Sequence, residues 1–151
     1  MFEATYMNEI STTIWQAIEA LIGSVPFSKD KVERELGIRL VDTEASGSDL
    51  FQFLEGGPVQ LAEGVGIQEV DLRLKREGPH PGFLVLELEG RGISFEEVLR
   101  HYAELRLTGV PRGRSLDEDT SYTAKLDWGE LSFGFGESNP ACLAYVAFDP
   151  S

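Results

Sequence analysis

Two histidines, one cysteine and 26 acidic residues are among the groups in this chain that can move protons, attack electrophiles or hold metals. Their spacing is the first test of any catalytic reading. His80 lies between Gly78-Pro79 and Pro81-Gly82, a turn composition. His101 follows Glu97 by one helical turn and is expected on the wet side of a helix. No H-E-x-x-H or C-x-x-C run occurs, and zinc needs three or four converging ligands, so no metal site is expected. A nucleophile elbow needs G-x-S-x-G; Ser46-Gly47-Ser48 and Gly113-Arg114-Ser115 do not match it. Gly64-Val65-Gly66 and Gly134-Phe135-Gly136 lack the third glycine and the lysine of phosphate-cradling loops. Asp117-Glu118-Asp119 lacks the glycine and the distant glutamate of a calcium loop. Paired carboxylates can do acid–base work, but so many acids meet by chance that proximity says little. The expectation is a non-catalytic protein with no cofactor.

Charge excludes further classes. Lys and Arg number 13 against 26 Asp and Glu, giving −13 in 151 residues. A phosphate backbone or an anionic membrane surface attracts basic proteins and repels this one. The charge is also uneven. Residues 1–28 hold Glu3, Glu9 and Glu19 with no base, and residues 126–151 hold Asp127, Glu130, Glu137 and Asp149 with none. Such a surface favours encounter with a basic protein. At 42% hydrophobic and 10% aromatic the chain can build a core. A lone cysteine, Cys142, and the absence of a basic start or a long apolar run point to the cytoplasm.

The elements that must position these groups read as follows. Ile10, Ile14, Ala17, Ile18 and Leu21 make a helical stripe, with Asn8 or Ser11 as candidate cap and a left-handed Gly23 as its end. Ser28 caps a second helix that stops at Gly37, with Phe27 and Val32 as its hydrophobic staple. Strands are expected at 38–43, 50–55 and 67–76, with a turn at 45–48. Val70, Leu72 and Leu74 alternate with Asp71, Arg73 and Lys75, the mark of a sheet with one wet face. Pairing Leu74 with Leu84, Leu72 with Leu86 and Val70 with Leu88 forms a hairpin. A third helix opens on the capping box Ser94/Glu97. Residues 122–127 and 130–135 flank Trp128-Gly129, which pairs Leu126 with Leu131; residues 142–148 close the chain as a strand apolar on both faces, hence central or covered. The order α-α-β-β-β-β-α-β-β-β makes one α+β domain, 1–151, on a mainly antiparallel sheet of six to seven strands. Ser28 to Leu36 and Ser94 to Tyr102 share a pattern, and a repeat of a helix-plus-strands unit over 28–89 and 94–148 is an open alternative.

The capped helix Ser94-Phe95-Glu96-Glu97-Val98, the hairpin Leu126 to Phe135 and the closing strand Leu143-Ala144-Tyr145-Val146 give a plan. It resembles the small acidic immunity proteins that accompany bacterial polymorphic or contact-delivered toxins. That resemblance implies a cytosolic inhibitor of one toxin domain. Under it, Asp117, Glu118 and Asp119, with Trp128 and Glu130 as neighbours, are the expected contact surface, an aromatic anchor among charges. Two other readings stay open. One is a chaperone of a secreted effector. The other is a small hydrolase or ligand-binding domain with a pocket on the sheet, lined by Trp15, Phe51, Phe53 and Trp128.

Overall fold

The computed structural model describes residues 12–43, 50–113 and 118–151. Helix α1 (Ile14–Ile22) begins at Thr13, whose hydroxyl accepts from the Gln16 amide while the Gln16 side chain accepts from the Thr13 amide. The candidate caps Asn8 and Ser11, and the stripe residue Ile10, lie outside the described residues. Gly23 ends α1 in a right-handed conformation, not the left-handed one expected. Helix α2 (Lys29–Leu36) is capped by Ser28 and closed by a left-handed Gly37, as its sequence requires. Helix α3 (Phe95–His101) is capped by Ser94. The expected capping box is only half made, because the Glu97 carboxylate turns away to other partners.

The described residues also form nine strands: β1 (Val41–Asp42), β2 (Phe51–Gly56), β3 (Val59–Gln60), β4 (Val65–Lys75), β5 (Phe83–Gly90), β6 (Arg106–Gly109), β7 (Asp119–Leu126), β8 (Gly129–Gly136) and β9 (Leu143–Pro150). The sheet is antiparallel, in the order β1-β2-β4-β5-β9-β8-β7-β6, with β3 on β4. The molecule is α+β as expected, with two strands more than the pattern reveals. β3 is too short to show a period, and β6 runs into Gly109 and Pro111, which read as breakers. The turn expected at 45–48 falls outside the described residues. In this order the chain runs twice through the same course. α2 precedes the meander β1-β2-β4-β5, and α3 precedes the meander β6-β7-β8-β9. The two meanders join where β5 pairs β9, so the apolar closing strand is central.

Both hairpin registers differ from expectation by two residues. Leu72 faces Leu84 and Val70 faces Leu86; Ala124 faces Leu131 and Tyr122 faces Phe133. A slip of two keeps every side chain on its face, so alternation cannot detect it. The second hairpin turns on Asp127-Trp128, and Gly129 takes φ 150° as the first residue of β8. Any Cβ at 129 would strike the backbone of Asp149 and Pro150. Neither Asp127 nor Trp128 takes a positive φ.

The helices α1, α2 and α3 lie on one face. Ile18, Leu21, Val32, Ile93 and Val98 meet Leu72, Leu84, Leu86, Val146, Phe148 and Phe133 in a single core. Trp15 ties α1 to α3: its indole N–H donates to Glu97 Oε2 at 3.1 Å, and His101 stacks flat on its ring at 4.1 Å. His101 is exposed, but it covers an aromatic ring rather than standing free in water. Arg91 grips both Glu97 oxygens at 3.2 Å and reaches Glu63 at 3.4 Å. No helix among the described residues is long and apolar enough to cross a membrane.

Candidate functional site

Among the described residues, the opposite face of the sheet carries no helix. Its residues are those that alternate with the core set. From β2 come Phe53 and Glu55, from β4 Glu69, Asp71 and Arg73, and from β5 Phe83, Val85 and Glu87. From β9 come Tyr145, Ala147 and Asp149, from β8 Glu130, Ser132 and Gly134, and from β7 Asp119, Ser121 and Thr123. Ala147 is buried without belonging to the core, because it floors this outer face.

Two adjoining depressions of about 440 and 310 Å³ lie here, sharing Phe83 and Asp149 as a common wall. The smaller is aromatic. The Arg73 guanidinium stands 5.2 Å from the Phe53 ring and 5.8 Å from Phe83, with Asp71 at 3.7 Å. His80 meets Phe51 edge-on at 5.5 Å, and its Nδ1 accepts from the Gly82 amide at 3.0 Å. His80 is thus a turn residue, as expected, that also lines this depression. The larger depression has a small-residue floor, Val85 and Ala147, with Glu87, Tyr145, Ser121 and Ser132 around it.

Electrostatics on this face are unfavourable by construction. Glu69 stands directly opposite Glu87, and Glu55 opposite Asp71. Like charges facing across strands destabilise a sheet. Partial burial, then the fields of Glu69, Asp71 and Glu55, push the Glu87 carboxyl above the usual range. Tyr145 lies across Gly134, where a Cβ would run into its ring. Burial, then the charge and hydrogen bond of Asp119, push its phenol up to about 12. On the helix side the half-buried glutamate shifts the other way. The Arg91 hydrogen bonds, aided by the Trp15 indole, hold Glu97 below the usual range against some burial. Burial and the hydrogen bond to Glu19, at 2.6 Å, raise the Tyr102 phenol.

The residues expected to form the contact surface do not gather in one place. Asp117 lies outside the described residues. Glu118 holds its own loop, accepting from the Arg112 amide at 3.0 Å. Asp119 opens β7 on the uncovered face beside Tyr145. Glu130 is on the same face but at the far end of the hairpin, roughly 20 Å along β7 at 3.3 Å per residue. Trp128 is half-buried on the core side, against Phe148 at 6.2 Å, and is no exposed anchor. Of the four aromatics named for a pocket, Phe51 and Phe53 line one, whereas Trp15 and Trp128 belong to the core.

Sequence reasoning did not single out Arg73, Phe83, Glu87 or Tyr145. The signal available was the shared run Phe83-x-Val85-x-Glu87 and Tyr145-x-Ala147-x-Asp149, which becomes meaningful once β5 and β9 are known to pair. Cys142 stands just before β9 with its thiol against Gly92. Among the described residues no three or more His, Cys, Asp or Glu side chains gather as a metal site. No protein-family model, curated protein or solved structure matches this chain.

Proposed function

We propose that this is a non-catalytic protein-binding domain whose uncovered sheet face docks a basic partner protein. In the setting implied by the immunity-protein resemblance, the partner is a toxin domain that the protein neutralises in the cytoplasm. One observation carries the reading. A broad face at the centre of the sheet combines aromatic rings and an arginine with four carboxylates set against one another. Aromatic residues and Arg are the side chains enriched where interfaces are tight. Glu55, Glu69, Asp71 and Glu87 repel one another across the strands, and a positive surface laid over them relieves that repulsion. The same field disfavours nucleic acid.

The test is co-expression with the product of the adjacent gene. Wild-type protein is expected to co-purify with that product and suppress its toxicity. Val85→Lys, at the centre of the face, is expected to abolish both. Leu107→Lys, at an exposed position on the edge strand, is expected to leave both intact. The reading fails if the neighbour is harmless, or if the Val85→Lys chain protects as well as wild type.

A further inference from the structure

The two meanders can be laid over each other position by position. A half-turn about the Val85/Ala147 pair carries Phe83, Val85 and Glu87 onto Tyr145, Ala147 and Asp149: an aromatic, a small aliphatic and an acid, in the same order. The neighbouring strands follow. Arg73 stands opposite Phe83, and Gly134 opposite Tyr145. One strand farther out, Phe53 stands opposite Arg73, and Ser121 opposite Gly134.

In the first meander these positions form a filled cation seat, with a guanidinium between two rings and a carboxylate nearby. In the second, the cation and the outer ring are missing. Position 134 has no room for a side chain under the Tyr145 ring, and Ser121 replaces a phenylalanine. The larger depression opens here, bordered by Ser121, Ser132, Tyr145 and Glu87.

We propose that this hollow seats one arginine side chain of the partner, its guanidinium against Tyr145 and paired with Glu87, as Arg73 sits against Phe83 and Asp71. The proposal rests on the docking reading above. The chemistry of the wall fits a flat, many-donor cation. Ser121 and Ser132 offer hydroxyl oxygens, and Tyr145 directs its own proton to Asp119, which leaves its oxygen lone pairs to accept. A guanidinium stacks on a ring while its N–H groups reach carboxylate and hydroxyls, which a compact ammonium does less well. The Val85 and Ala147 floor suits the methylene stem.

The seat can be tested without the partner. Full-length protein is titrated with the capped peptide Gly-Arg-Gly and with its lysine and citrulline counterparts, followed by amide NMR shifts. The arginine peptide is expected to shift Ser132, Tyr145 and Ala147, with at least fivefold weaker binding for lysine and none for neutral citrulline. Glu87→Gln is expected to weaken the arginine peptide at least fivefold while the remaining spectrum stays in place. Shifts elsewhere, or equal binding of citrulline, overturn the seat. If the toxin partner is captured through this face but the arginine peptide gives no shift, the seat is wrong and the docking reading stands. If the peptide seats and no partner is captured, the docking reading fails and the cation seat remains.

Discussion

Thr123 and Glu55 occupy matching places, each on the second strand out from the central β5/β9 pair. The Thr123 hydroxyl sits between Ser132, at 2.8 Å, and Thr108, at 2.9 Å. Glu55 faces Asp71, a like charge. The second meander therefore satisfies its outer face internally, with a ladder of hydroxyls that both donate and accept. Carboxylates only accept, so Glu55 and Asp71 cannot bond one another. The same backbone course thus yields one outer half with a closed hydroxyl ladder and one that stores repulsion. Glu87 belongs to the repelling half but borders the hollow of the other, so a guanidinium seated there relieves the first while resting on the second.

Beneath this difference the covered face is matched, and there the two halves should respond alike. Leu72 and Phe133 hold equivalent, fully buried positions. Leu72→Ala and Phe133→Ala are each expected to cost about 3 kcal/mol or more, read from urea unfolding midpoints. A loss below about 1 kcal/mol at either site would break the correspondence. On the outer face the signs should split. Thr123→Val removes a buried hydroxyl and leaves Ser132 and Thr108 short of a partner, with an expected loss of about 1 kcal/mol. Glu55→Gln at the matching place is expected to be neutral or to gain a few tenths of a kcal/mol, on the order of a like-charge cross-strand pair. Equal losses from the two would erase the contrast.

Acid titration sharpens it further. Glu97 is held low in the fold, so its contribution is present above the ordinary value of 4.5 and is lost as pH falls through its folded value. Glu87 is held high, so its charge weighs against the fold at neutrality, and that penalty disappears as pH falls through its raised value towards 4.5. Glu87→Gln is therefore expected to stabilise at pH 7 by a few tenths of a kcal/mol, of the size of a cross-strand like-charge pair, and to change nothing at pH 4. Glu97→Gln is expected to destabilise at pH 7, and the difference should narrow at pH 3. Thermal unfolding at the three pH values reads both, and a Glu87→Gln gain that persists at pH 4 would assign it to something other than charge.

Much of the fold is legible in the chain because local chemistry fixes it. Ser28, Gly37 and Ser94 mark helix ends by hydrogen bonding and backbone conformation alone. Alternation in Val70 to Lys75 fixes which side chains face the core. Register is not local, since a two-residue slip preserves that alternation, and both hairpins slipped by two. Trp128 misleads for a related reason. A hairpin tip suggests exposure, but the turn geometry sends this ring back onto Phe148. The outer site is the least legible part, because it depends on which strands become neighbours across the sheet. Glu69 and Glu87 look unremarkable apart, and only pairing makes them adversaries.

The position of β9 reaches beyond the finished structure. It is made after β1 to β8 yet lies between β5 and β8 at the middle of the sheet. While the ribosome is still adding residues 143–150, both neighbours present unpaired backbone edges, and the two meanders have no ladder between them. Exposed edges of this kind are where chains join the wrong neighbours. A chain stalled or clipped before Leu143 is thus two sticky half-sheets, and insertion of β9 converts them into one surface.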